Sequence, residues 1–309
     1  MKLLKINVFT LILLTILFCT PSLLFAESEE KTEKTYPLDR DGKVYVENIS
    51  GKIVVKSWQK NEIKIFARKT AGDKSTLDKA TIDINRTGSN VRIITRSSKF
   101  PGMYQSADVS VEYELFVPDR AQLRMKSGSG RIEAWEIGGP VDAETVSGKI
   151  EIVNALQGVK CKTMNGAVFL EGITGGADLK TTSGKITADG IKGSITANTV
   201  SGAIEIKEFS LADEIEMETI KGNMEVQGVL SPGGIYEFNT ISGRTLLTLA
   251  PGSDFELQTN TVSGEINCQF RLNEYAVYTR NRLQGVVGNG SSSLKISSVS
   301  GDILINRDK

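Results

Sequence analysis

From residue 126 onward apolar and polar residues alternate in short runs, and each run begins at a Ser-Gly-like corner. The corner glycines are Gly130, Gly148, Gly166, Gly184, Gly202, Gly222, Gly243, Gly264 and Gly301. Four steps of 18 residues are followed by steps of 20, 21, 21 and 37, the last about two periods with an insertion. Three residues before the corner stand Thr145, Thr163, Thr181, Thr199, Thr219, Thr240 and Thr261, closing with Ser298. Two before it stand Val146, Met164, Thr182, Val200, Ile220, Ile241, Val262 and Val299. The positions two and four after the corner are largely apolar, for example Ile150 with Ile152 and Ile204 with Ile206. Lys149, Glu151, Lys185 and Thr187 fall between such positions. That is the period-two alternation of a strand with one buried face.

Gly139, Gly158, Gly176 and Gly193 mark a second corner half-way round each 18-residue unit. One unit is therefore two short strands and two corners. Identical residues at one phase imply parallel, in-register stacking, each coil about 4.8 Å above the last. The fold predicted is all-β: a single-chain β-solenoid over residues 126–309, with coils of 18–21 residues. An antiparallel meander would not demand the same residue at the same phase in every unit. The threonine column can form a hydroxyl ladder, and the glycines are expected to hold a backbone conformation costly for a side chain bearing a Cβ. A thin aliphatic core of this kind explains an aromatic content of only 6%.

The motif also occurs near the start, in VYVENISGKIVVK, where Ile49, Gly51, Ile53 and Val55 share the phase. EIKIFAR, residues 80–85, 91–95 and 109–117 alternate as strands, with polar loops over 69–79 and 97–106. Residues 37–125 read as an irregular β sector that caps the open end of the solenoid. Residues 27–36 are charged and read as a mobile tether.

Residues 1–26 have the pattern of an export signal. Lys2 and Lys5 precede an apolar stretch from Ile6 to Phe18, and Leu24-Phe25-Ala26 offers a cleavage site. Cys19 raises the alternative of a lipid anchor, although the bulky Phe18 precedes it, and an uncleaved anchor is a third possibility. Beyond the signal the only cysteines are Cys161 and Cys268, several coils apart and expected to be buried free thiols.

The chain has 37 Lys+Arg, 37 Asp+Glu and no histidine. The first balance removes the basic excess that nucleic acid or an anionic membrane surface requires. The missing histidine removes Ser-His-Asp and Cys-His catalysis and His-ligated metals. No phosphate loop follows a strand into a helix, and Gly175-Gly176-Ala177-Asp178 is one imperfect copy of a calcium-solenoid repeat. Glu133, Glu151, Glu205 and Glu225 share an outward column, interrupted by Phe169, Thr187 and Leu246. Mixed charges in that column read as a solvated face. Phe169, Leu246, Trp58 and Trp135 are candidates for a contact surface. Residues 285–293 read as a flexible insertion, and the sequons at Asn48, Asn85 and Asn289 carry no weight.

VENISGKIVVKSWQKNEIKIFARK, YELFVPDRAQLRMKSGSGRIEAWEI, the V-S-G-K-I-E-I units and the closing LKISSVSGDILI resemble the bacterial putative-adhesin family of unknown function. The resemblance implies a toast-rack β-solenoid related to head-GIN domains and brings no catalytic or binding residues. No catalytic, metal or cofactor residues are assigned, and no cofactor is expected. The expected function is that of a non-catalytic exported envelope protein with a rigid binding or scaffold surface for an envelope protein or surface polymer. It would be periplasmic, surface-exposed or secreted, touching the membrane only through an uncleaved or lipidated N-terminus. The alternatives are a β-helix enzyme acting on polysaccharide and a scaffold in envelope-stress regulation.

Overall fold

The structure, a computed structural model, describes residues 27–97, 109–273 and 276–308. The expected signal, with Cys19, and most of the polar loop at 97–106 lie outside the described residues. Among the described residues no helix is long and apolar enough to cross a membrane.

The N-terminal part comprises β1 (Ser28–Pro37), β2 (Lys43–Ser50), β3 (Ile53–Trp58), β4 (Glu62–Ala71), a four-residue helix α1 (Lys74–Leu77), β5 (Ala80–Thr87), β6 (Asn90–Ser97) and β7 (Val109–Pro118). The first full coil after it is β8 (Gln122–Ser129) and β9 (Ile132–Ile137). From there the chain alternates between two sheets, one strand of each coil in each. The first sheet has 13 strands and runs β1-β4-β7-β3-β9 before the later coils; the second has 14 and places β5-β6-β2-β8 at the same end. Coils pair in parallel and in register: Val141 stands opposite Val159 and Leu123, and Ile150 opposite Val168 and Ile132. The inward positions close a continuous aliphatic core, with Ile132, Ile150, Leu170, Ile186 and Ile204 all fully buried.

The expected conformation is present at five of the corners, Gly130, Gly148, Gly222, Gly243 and Gly301, with φ between 143° and 158°, and close approach demands glycine even where it is not. A Cβ on Gly184 would lie 1.9 Å from the carbonyl oxygen of Gly166, one coil below, and one on Gly202 equally close to that of Gly184. Neither glycine has the left-handed φ that favours glycine. Close approach of successive coils excludes a side chain there, whatever the backbone dihedral. The threonine column also differs from a hydroxyl ladder. Thr145, Thr163, Thr181 and Thr219 donate to the corner carbonyls of Gly130, Gly148, Gly166 and Gly202 at 3.3–3.5 Å, and Thr261 donates to that of Gly301. Thr199 and Thr240 are equally buried, with hydroxyls that reach no partner.

Both ends of the stack depart from the order of the sequence. β2 and β3 are themselves a coil, seated in parallel on β8 and β9, so residues 59–121 are an excursion out of the solenoid. The boundary expected at residue 126 therefore falls inside β8. At the other end the strand 293–300 enters between 235–242 and 255–263, so the coil of Gly301 lies between those of Gly243 and Gly264. Part of the expected flexible insertion is a strand, 282–287, which pairs antiparallel with 255–263 and covers that end.

The charged segment expected to be a tether is β1, an edge strand paired with β4 over ten residues. Backbone ladder bonds need no apolar side chains. Lys64 with Glu33 and Lys69 with Glu30, each at 2.9 Å, tie the two strands together. The expected polar loop over 69–79 likewise begins inside β4, where Lys69 is buried and donates to the Ala80 carbonyl at 2.9 Å. Charge on an exposed edge discourages pairing with other chains.

Cys161 is buried and free, and burial pushes its thiol far up in pKa. Cys268 is free but only half-buried. It ends an edge strand with a neighbour on one side only, Ile305, so its expected full burial is not met.

Candidate functional site

The outward positions of β4, β7, β3 and β9 gather aromatic rings on one face of the first sheet. Inward neighbours fix the parity: Ile63, Ile65, Leu115, Ile53, Val55 and Ile132 are fully buried. The residues between them must point out, which exposes one edge each of Phe66, Phe116, Trp58 and Trp135. Register sets Lys56 opposite both Phe116 and Trp135, and Phe66 opposite Glu114.

The rings touch. Trp58 and Phe116 have centroids 5.6 Å apart, and Phe66 meets Phe116 edge-on at 6.2 Å. Lys60 lies 4.7 Å from the Trp58 ring and Lys64 4.5 Å from that of Phe66. The indole N–H of Trp58 donates to the Glu62 carbonyl at 2.8 Å, which fixes the ring. A depression of about 750 Å³ lies over this face, floored by Val54 and Phe66, with Trp135, Glu133 and Arg68 around it.

Glu133 is the buried charge of the site. Lys52 approaches one carboxylate oxygen at 2.9 Å and Arg131 donates to the other at 3.2 Å. Burial alone would raise its pKa, but these two cations outweigh that and hold it below the ordinary carboxylate range.

The acidic column read from the sequence is brought into line. Glu133 lies beside Glu151, and Glu205 beside Glu225, with Phe169 and Thr187 between the two pairs. Glu151 is paired with Lys149 at 2.6 Å. Glu205 is bonded by Lys185 and by Lys207, and the Lys185 hydrogen bond is the main reason its carboxyl is held low. Among the described residues no three acidic or cysteine side chains converge as metal ligands would.

Of the four contact candidates from the sequence, Trp58 and Trp135 belong to the aromatic face. Phe169 and Leu246 do not: each is half-buried farther along the same sheet, Phe169 beneath Lys149 at 5.1 Å. Phe66 and Phe116 were missed, although the alternation in EIKIFAR and YELFV places both outward. The corner glycines stack one coil on the next, with the threonine column bonded beside them, and none of them lines the depression over this face.

No curated protein matches the chain. Solved structures are similar to it at low identity. A "putative adhesin" from Bacteroides fragilis is 11% identical, covers 90% of this chain and 98% of its own, and has a TM-score of 0.41. A "putative lipid binding protein" from Parabacteroides distasonis is 14% identical, covers 91% and 97%, and has a TM-score of 0.39. A "putative cell adhesion protein" from Clostridium sporogenes is 10% identical, covers 90% and 100%, and has a TM-score of 0.26. The model of the family Toastrack DUF4097 matches residues 105–231, the segment that holds the regular 18-residue coils.

Proposed function

We propose that the protein is an exported, non-catalytic binding scaffold whose aromatic face on the first sheet docks a protein partner in the cell envelope. The observation that carries this reading is the cluster of Trp58, Phe66, Phe116 and Trp135 on outward positions, ringed by lysine, arginine and carboxylate. Aromatic residues and arginine concentrate binding energy at protein interfaces. The depression is broad and open, whereas small molecules favour enclosed, largely apolar pockets.

The carboxylates support a non-catalytic role. Cleavage of a glycosidic bond needs one carboxyl group with a raised pKa to donate a proton. Glu133 and Glu205 are both shifted the other way, by lysine and arginine neighbours. Export is supported by the leader-like pattern of residues 1–26.

The test is capture from envelope extract by residues 27–309, alongside the Phe66→Ala/Trp135→Ala variant. Both rings are half-exposed, so the variant should keep its fold. A partner retained by the unmodified protein and weakened at least tenfold in the variant supports the reading. Equal capture by both overturns the assigned face, and reproducible depolymerisation of an envelope glycan by the purified protein overturns the non-catalytic role.

A further inference from the structure

The position two residues before each corner glycine forms a second surface, on the other sheet. It carries Val146, Met164, Val200, Ile220, Ile241 and Val262, exposed by 36% at the first and 73% at the last. Parallel register stacks these side chains in a single file along the rod. Counting Val299 and the interruption at Thr182, the ridge crosses eight coils, roughly 34 Å at the usual strand spacing. A continuous exposed apolar strip of that length marks an interaction surface.

The charges beside the ridge are not evenly spread. Lys162 and Lys180 are neighbours in one column, and Glu216 and Glu237 are neighbours in the next. Like charges opposite each other on a sheet are unfavourable within one chain. They become useful when a surface of the opposite order is laid on them.

We propose that this face binds a second copy of the chain, turned end for end about an axis that runs along the strand of Val200. Such a two-fold keeps each outward column facing itself and reverses the order of the coils. Lys180 then faces Glu218, Lys160 faces Glu237 and Asp142 faces Lys295. Met164 meets Ile241, Val146 meets Val299, and Val200 meets its own double. Every pair off the axis occurs twice. The one adverse pair, Asp178 with Glu216, is eased because Lys160 and Lys180 already bridge Asp178 within its own chain, at 3.4 and 3.5 Å. A trough of about 640 Å³ between the ridge and the polar column leaves room for the long lysine and glutamate side chains of the opposing copy. A copy laid the same way up would instead set Lys162 and Lys180 level with themselves, and Glu216 and Glu218 likewise.

Sedimentation velocity of residues 27–309 over a concentration series tests the proposal. A dimer is expected that dissociates as salt is raised. Ile220→Lys should weaken it at least tenfold. Lys180→Glu and Glu218→Lys should each weaken it about tenfold, and the two together on one chain should restore it. All these positions face solvent in the single chain, so circular dichroism should be unchanged. Mixed Met164→Cys and Ile241→Cys chains should cross-link to each other under mild oxidation. A monomer at every concentration, a dimer indifferent to these substitutions, or cross-linking of Met164→Cys only to itself would each overturn the proposal.

Discussion

Replacing Gly184 by alanine tests the cause of the corner directly. The added Cβ would stand 1.9 Å from the Gly166 oxygen and 2.6 Å from its carbon, against an ordinary contact of 3.4 Å or more. The two coils must part by roughly 1.5 Å at a place where strands stand about 4.8 Å apart. The bonds at risk are Gly166 N–H to the Ser183 carbonyl at 3.1 Å, Gly184 N–H to the Ser201 carbonyl at 3.2 Å, and the Thr181 hydroxyl to the Gly166 carbonyl at 3.3 Å. Overpacking costs about 1–3 kcal/mol. Two backbone bonds lost or stretched add about 0.5–1.5 kcal/mol each. The expected loss is thus about 2–6 kcal/mol. Gly252 supplies the control, because a Cβ there meets nothing within 4 Å and its φ is not left-handed. Gly252→Ala should leave stability within about 0.5 kcal/mol, or raise it slightly through the unfolded chain. Urea melts give both values from midpoint shifts at constant slope. Equal midpoints for the two variants would refute the close-approach account of the corner.

Three further outcomes follow from the geometry. Asn48 is fully buried, donates to the Val111 carbonyl at 2.7 Å and accepts from the Thr95 hydroxyl at 2.9 Å; Asn48→Ala should therefore cost about 1–3 kcal/mol in a urea melt, and an unchanged midpoint would refute the network. Glu208 holds a left-handed φ of 52°, so Glu208→Gly should stabilise by about 0.5–1 kcal/mol, strain relieved less the entropy glycine adds to the unfolded chain, and a lowered midpoint would count against it. The folded Glu133 carboxyl lies below its ordinary value of 4.5, so its contribution is complete above that pH and fades as the folded group takes up a proton at lower pH; Glu133→Gln should flatten the acid side of a stability-against-pH curve, and an identical acid limb would refute the pairing with Lys52 and Arg131.

The solenoid was legible because its signal is repetition. A residue that must fit against its own copy one coil away leaves the same mark every 18 residues. The excursions were less legible because nothing repeats in them. β1 shows no apolar alternation, since its hold on the fold is a backbone ladder with β4 and a few ion pairs. The seating of 293–300 between two earlier coils is a choice among equivalent edges that local pattern does not rank. A recurring left-handed position was also overlooked. Glu136, Asn154, Gly172, Gly190 and Glu208 all have φ between 52° and 66° and are 18 residues apart, but their residue types differ too much to form a visible column. Asn48 lies inside a sequon, and only the packing of β2 against β6 and β7 reveals it as the centre of a buried polar network with Thr95 and Tyr113.

The functional surfaces are hard to read for the opposite reason. Inward columns are constrained by the fold, whereas outward columns are free to vary, and most of them do. The column from Val146 to Val262 is the exception. Its side chains are exposed, yet Thr182 is the one polar residue among its eight members. The fold does not require this, because Thr182 occupies the same position without any break in the register of its strand with either neighbour. Strand propensity favours β-branched residues there, but threonine would satisfy it equally well. Polar outward columns two and four residues away show that solvent-facing positions of these same strands accept charge freely. An apolar file at exposed positions that also accept threonine supports the proposed contact with a second copy, and the reversed order of lysine and glutamate beside it supports the end-for-end orientation proposed for that contact.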